Sequence, residues 1–128
     1  MATAPPFPST PRVGSAQMST ANANRDGTGT IVDVLTGVSA GTRVSSVVVQ
    51  AIVTTTAGMV RLYYYDGTNT RLVDEIPIPA VTVSASQQGY RVQRYYNDLV
   101  LAGSTHKLQA STHNAETFNV VAFAGDLT

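Results

Sequence analysis

From Thr30 onward the chain is written in short runs rich in Val, Ile, Thr and Tyr, broken by clusters of Gly, Ser and Asn. Runs of this kind suit a pleated surface, and the clusters between them suit turns. No window carries a sustained helical period with caps. The runs predict strands near 30–35, 43–53, 59–65, 70–76, 90–96, 106–112 and 117–124. With a possible short strand at 16–21 the count is about eight. An all-β, single-domain jelly roll or β-sandwich of antiparallel strands accommodates that number.

The segment before Thr30 has a different composition. Pro5, Pro6, Phe7, Pro8 and Pro11 lie close together, and proline fixes φ and lacks a backbone donor. "NANRDGTGT" follows, with the Asn, Asp and Gly of turns. Residues 1–29 therefore read as an extended N-terminal arm and residues 30–128 as the sandwich domain. The arm is expected either to fray or to lie across a neighbouring subunit. Two connections are informative. "DGTN", between Tyr65 and Thr70, is a hairpin turn in which Gly67 can take a positive φ. A four-residue loop there places Arg61 opposite Asp74, and a bulged three-residue loop places Leu62 opposite Leu72. "PIPAVTVSASQQG", from Pro77 to Gly89, is a long crossing or an edge segment, because its prolines do not suit an inner strand.

Three strands are apolar on both faces. In "MVRLYYY" Val60, Leu62 and Tyr64 form the better core face, which leaves Met59, Arg61, Tyr63 and Tyr65 on the other. The run 43–53 offers Val47, Val49, Ala51 and Val53 against Val44, Val48 and Ile52. The run 117–124 offers Phe118, Val120, Ala122 and Ala124 against Val121 and Phe123. A strand of an isolated sandwich alternates apolar with polar residues. Burying a Val or Phe side chain is worth roughly 1.5–3 kcal/mol, a large share of a domain's net stability of about 5–15 kcal/mol. The doubled faces thus predict a second buried surface, formed between copies or by the arm or long crossing. Arg61, Tyr63, Tyr65, Val48, Ile52, Tyr95, Tyr96 and Phe123 are the candidate interface residues, with Pro5, Pro6, Phe7 and Pro8 from the arm.

The candidates for chemistry are few. Charged residues make up 12 % of the chain, and eight basic groups balance eight acidic ones. A neutral, charge-poor surface favours association and offers no footprint for nucleic acid. Cysteine is absent, which removes disulfides and thiolate chemistry. The N-terminus lacks the pattern of a signal peptide, and no apolar run reaches the length of a membrane span. His106 and His113 do not fall at a ligand spacing, and only folding could recruit Glu116 or Asp98 to a metal. There is no G-x-S-x-G elbow. The "DGTGT" stretch lacks the lysine of a phosphate loop. Asp74 and Glu75 are adjacent, so in a strand they face opposite ways and cannot act as a hydrolytic pair. Arg91, Arg94, Tyr95 and Tyr96 mix base and aromatic and read as a subunit contact, with an oligosaccharide platform as the alternative. No catalytic residue, cofactor or metal is expected.

"TTTAGMVRLYYYDGTNTRL" (54–72), "LVLAGSTHKLQASTHNAETFNVVAFAGD" (99–126) and "TPRVGSAQMSTANANRDGTGTIVDVLTG" (10–37) together resemble the small virion structural proteins of tailed bacteriophages. The resemblance implies a non-enzymatic jelly roll or sandwich, most simply a capsid decoration or cement protein. Such a protein is made in the bacterial cytoplasm and binds the outside of an assembled head as a homo-oligomer, commonly a trimer. Its partner is the major capsid protein, and repeated weak contacts supply avidity. The alternatives are a tail, baseplate or fibre-associated module that binds host glycan, and a head–tail adaptor.

Overall fold

The computed structural model describes residues 10–127. The eight strands are β1 (Thr10–Met18), β2 (Val32–Thr36), β3 (Thr42–Ala51), β4 (Gly58–Tyr65), β5 (Thr70–Ile78), β6 (Arg91–Leu101), β7 (Lys107–Thr112) and β8 (Phe118–Asp126). They form two four-stranded antiparallel sheets. Sheet A has the order β1-β8-β3-β6, and sheet B the order β2-β7-β4-β5. The first strand pairs with the last, the second with the seventh, the third with the sixth and the fourth with the fifth. This nested pairing is a hairpin rolled up on itself, the wiring of a jelly roll.

The core lies where the inner faces of the sheets meet. Val44, Val47, Val49, Phe118 and Val120 of sheet A pack with Val60, Leu62, Ile76 and Leu108 of sheet B. The period-2 pattern selects these residues, and the irregularity between Val44 and Ser46 of β3 lets both Val44 and Val47 point inward. Tyr64 also points inward, and its hydroxyl donates to the Val100 carbonyl of sheet A at 3.0 Å. At one side of the sandwich β1 approaches β2 so closely that a Cβ on Gly14 would lie 2.3 Å from the Val34 carbonyl oxygen. Only glycine fits there. Arg12 joins the same margin, donating to the Thr36 carbonyl at 2.9 Å and to Asp126 at 3.0 Å. At the opposite side the Tyr96 hydroxyl of β6 donates to Asp74 of β5 at 2.8 Å. Burial, and then that carboxylate, push the Tyr96 phenol well above its usual range.

Most strand bounds shift by one or two residues, and three departures are larger. Part of the segment read as an arm is strand β1, nine residues long and fully paired with β8. Pro11 is tolerated because β1 is an edge strand. Strand β6 continues to Leu101, past the polar Asn97 and Asp98, which a bulge opposite Ser45 of β3 absorbs. The β4–β5 hairpin begins as a four-residue loop, with Tyr65 opposite Thr70 and Gly67 at φ +93°. A bulge at Val73 then shifts the register, so Leu62 faces Asp74 and Arg61 faces Glu75. The stretch "PIPAVTVSASQQG" divides as its prolines suggest. Pro77 lies in edge strand β5, and the remainder crosses from sheet B to sheet A.

Candidate interaction surface

The outward face of β4 carries Arg61 and Tyr63, and neither is exposed. Their relative exposures are 2 % and 0 %. The segment between β1 and β2 folds back over sheet B and covers them. Ala21 bridges to Thr112, and the Asn22 N–H donates to the Thr112 carbonyl at 2.8 Å. The Asn22 side chain is buried and donates to the carbonyls of Thr28 and Thr30 at 2.9 and 3.0 Å, which closes the segment into a compact loop. Gly29, at φ +85°, passes against that side chain, where a Cβ would lie 2.6 Å from the amide oxygen.

The loop's carbonyls satisfy the polar tips beneath it. Tyr63 donates to the Asn24 carbonyl at 2.9 Å, and its oxygen lies 3.2 Å from the Ser111 hydroxyl. Arg61 donates to Glu75 at 2.9 Å and to the Asn22 carbonyl at 3.4 Å. It also meets His113 Nδ1 at 3.3 Å. A guanidinium has no acceptor, so that nitrogen accepts. Arg25 of the loop donates to the same Glu75 oxygen at 2.6 Å. Hydrogen bonds from Arg25 and Arg61 hold the Glu75 carboxyl below its ordinary range, and the Thr28 hydroxyl and N–H do the same for Asp26.

This corrects the expectation that Arg61 and Tyr63 form a contact surface. Their face is doubled, but the second layer comes from the same chain. Tyr65, at the end of the strand, is half-buried; its hydroxyl donates to the Gly67 carbonyl at 2.9 Å, and its ring lies 5.8 Å from the Lys107 ammonium. The positions of Pro5, Pro6, Phe7 and Pro8 lie outside the described residues.

The outward face of sheet A differs. Val13, Phe123, Ser46 and Tyr95 form one row across its four strands. Val13 is 63 % exposed, Phe123 41 % and Tyr95 76 %. The next row is Ser15, Val121, Val48 and Gln93, and the third is Gln17, Asn119, Gln50 and Arg91. Val48 and Val121 are half-buried by their neighbours, and Ile52 is exposed just beyond the end of β3. Arg91 is the one charged side chain in the three rows. Beside them a shallow groove of about 440 Å³ runs along Ser15, Gln17, Asn119 and Val121. Another, of about 600 Å³, lies at the Ser84–Gln88 loop. Neither is lined by an ionisable side chain.

Of the candidate interface residues, Val48, Tyr95 and Phe123 thus share one open face. Tyr96 does not, because it turns inward to Asp74, so Tyr95 and Tyr96 do not form a joint platform. Asp74 and Glu75 take opposite faces, as their adjacency requires. Val13 and Val121 also belong to the open face. Nothing in the sequence marked Val13, because "TPRVGSAQM" does not alternate apolar with polar residues and its proline argues against a strand.

No family model matches the chain, and no curated protein does. Among solved structures the fold is similar to a chain from the acidic stable capsid structure of Helicobacter pylori bacteriophage KHP30. That likeness has a TM-score of 0.55 and 12 % identity, over 94 % of this chain and 91 % of the other. A pentameric capsid protein isolated from metagenomic phage sequences shows a looser likeness, with a TM-score of 0.40 and 16 % identity, over 88 % of this chain and 61 % of the other. The first likeness shows that the fold of this chain, over most of its length, is shared with a chain of a phage capsid structure.

Proposed function

We propose that the chain is a non-enzymatic structural protein of a bacteriophage virion. Within the virion we assign it to decoration or cement of the head, bound as an oligomer to the major capsid protein. The observation that carries this reading is the open, nearly uncharged outer face of sheet A. A face of that size with apolar side chains suits a protein surface rather than a small molecule. The fold likeness to a phage capsid chain supports the same reading, as do the two grooves without ionisable lining. Mechanically, such a protein performs no chemistry. It adds contacts that are individually weak and act together on a repeating lattice. The isolated position of Tyr95 speaks against a glycan platform, which needs several aromatic faces side by side.

Quantifying the protein in purified virions tests the proposal. A cement protein is present at a copy number comparable with that of the shell protein, and particle images place it on the outside of the head. A few copies per particle, located at the tail or neck, would overturn the decoration reading, and absence from the particle would overturn the virion reading.

A further inference from the structure

We infer that two copies of this chain stack through the outer faces of their A sheets, related by a two-fold axis parallel to the strands. The inference rests on the reading of the chain as a self-associating virion protein, and it specifies the surface and the symmetry.

The argument comes from the register. A two-fold axis along the strands, placed between β8 and β3, sets β1 of one copy over β6 of the other and β8 over β3. Strand directions are kept, so the sheets stack in the aligned manner of a sandwich. In the first row Phe123 then meets Ser46 of the second copy, a large side chain over a small one, and Val13 meets Tyr95. In the second row Val121 meets Val48, and Ser15 meets Gln93. In the third, Gln17 meets Arg91 and Asn119 meets Gln50. Val121 faces Val48, Val13 faces the Tyr95 ring, Phe123 covers the small Ser46, the remaining pairs are polar on polar, and no like charges oppose each other. An isologous interface requires a patch that complements itself in this way.

Charge and area agree. The three rows carry one cation, Arg91, and the row beyond them adds Arg43, which stands opposite Gly125 of the second copy, so no two charges meet across the two-fold. Four strands spaced ~4.8 Å apart and nine residues rising ~3.3 Å each give a footprint of roughly 600 Å². The smaller specific interfaces bury about that much per partner. Association is therefore expected to be reversible and to depend on concentration. The sheet edges are poor rivals as joining surfaces. Strand β5 carries Pro77, β6 is interrupted by its bulge, β2 is five residues long, and β1 is tied to β2 through Arg12.

Light scattering of the full chain over a concentration series is the test. The expected mass rises from 13.5 kDa towards twice that value. Phe123→Asp holds the chain at the monomer mass with an unchanged circular dichroism spectrum and melting temperature, while Val73→Asp, an exposed apolar site on the other sheet, leaves dimerisation intact. Val13→Asp and Tyr95→Lys each weaken the dimer at least tenfold. Those two positions lie at opposite sides of one copy but face each other across the two-fold, so the double variant V13D/Y95K recovers dimer at low salt while V13D/Y95D does not. A monomer at all concentrations, a three-copy mass, or equal recovery by both double variants would overturn the inference. A three-copy mass would restore the symmetry that the resemblance implies. The virion reading fails separately. A chain found on heads but monomeric in solution overturns only the pairing, whereas a dimer absent from particles supports the pairing and overturns the virion role.

Discussion

The two outward faces of this sandwich pose the same problem and reach different solutions. Both carry more apolar area than an isolated sheet face needs. The face of sheet B carries its apolar area on side chains with polar tips, the Tyr63 hydroxyl and the Arg61 guanidinium. Those tips require partners when buried, and the loop from Ala21 to Thr30 supplies them as backbone carbonyls. The face of sheet A carries Val13, Val48, Val121 and Phe123, which have no polar tip for a loop to anchor on. Among the described residues no segment lies over it. A small domain closes a doubled face with its own chain where hydrogen bonds can hold the cover in place. Where the apolar side chains of a face carry no polar tips, as at Val13, Val48, Val121 and Phe123, a second molecule is the economical cover, because its own apolar surface also leaves water.

The contrast can be broken first at Tyr63. Tyr63→Ala leaves a cavity under the loop and is expected to lower stability by about 3–5 kcal/mol, as large-to-small changes at buried aromatics do. Urea unfolding measures it, and a loss below about 1 kcal/mol would mean that the loop does not seal the face. Next is Asn22→Ala, which leaves the Thr28 and Thr30 carbonyls without the amide that gathers them. A loss of about 2 kcal/mol is expected from unsatisfied groups near the buried surface. Faster amide exchange, confined to the loop and the β4 face beneath it, would accompany the loss.

Acid is a gentler probe of the same loop. Glu75 and Asp26 both have carboxyls held below their ordinary range in the folded chain. Stability from such groups is present above the unfolded-state value and is lost as pH falls through the folded one. Protection of the loop amides, taken relative to the unstructured exchange rate at each pH, should therefore hold from neutral pH down to the usual carboxylate range and should fall below it, while protection in sheet A changes little. An equal fall in both sheets would break the comparison. The smallest effect belongs to the open face. Phe123→Ala should alter the stability of the monomer by less than about 0.5 kcal/mol while weakening self-association measured by light scattering.

These contrasts also mark what could be read without the fold. The strands after Thr30 were legible because period-2 alternation and turn clusters are local properties. Edge strand β1 was hidden by Pro11 and Gly14, residues that argue against a strand unless one edge is free and a neighbouring backbone comes close. The doubling of β3, β4 and β8 was legible, but the identity of each cover was not. Arg61 and Tyr63 are capped through the carbonyls of Asn22 and Asn24, and backbone carbonyls carry no sequence signature. The pairing of Arg61 with Glu75 depends on a one-residue bulge at Val73, which reverses the alternation beyond it. Tyr95 and Tyr96 looked equivalent in the sequence. Adjacency in a strand sends one outward and the other towards Asp74.

Hydroxyl-radical footprinting of the tyrosines and Phe123, read by mass spectrometry over a range of protein concentrations, tests the central claim most directly. Tyr63 is expected to stay unlabelled throughout, whereas Tyr95 and Phe123 label strongly in dilute solution and become protected together as the concentration rises. Labelling of Tyr63 in the folded chain, or unchanged labelling of Tyr95 and Phe123 at every concentration, would contradict a molecule that closes one doubled face itself and leaves the other to its partner.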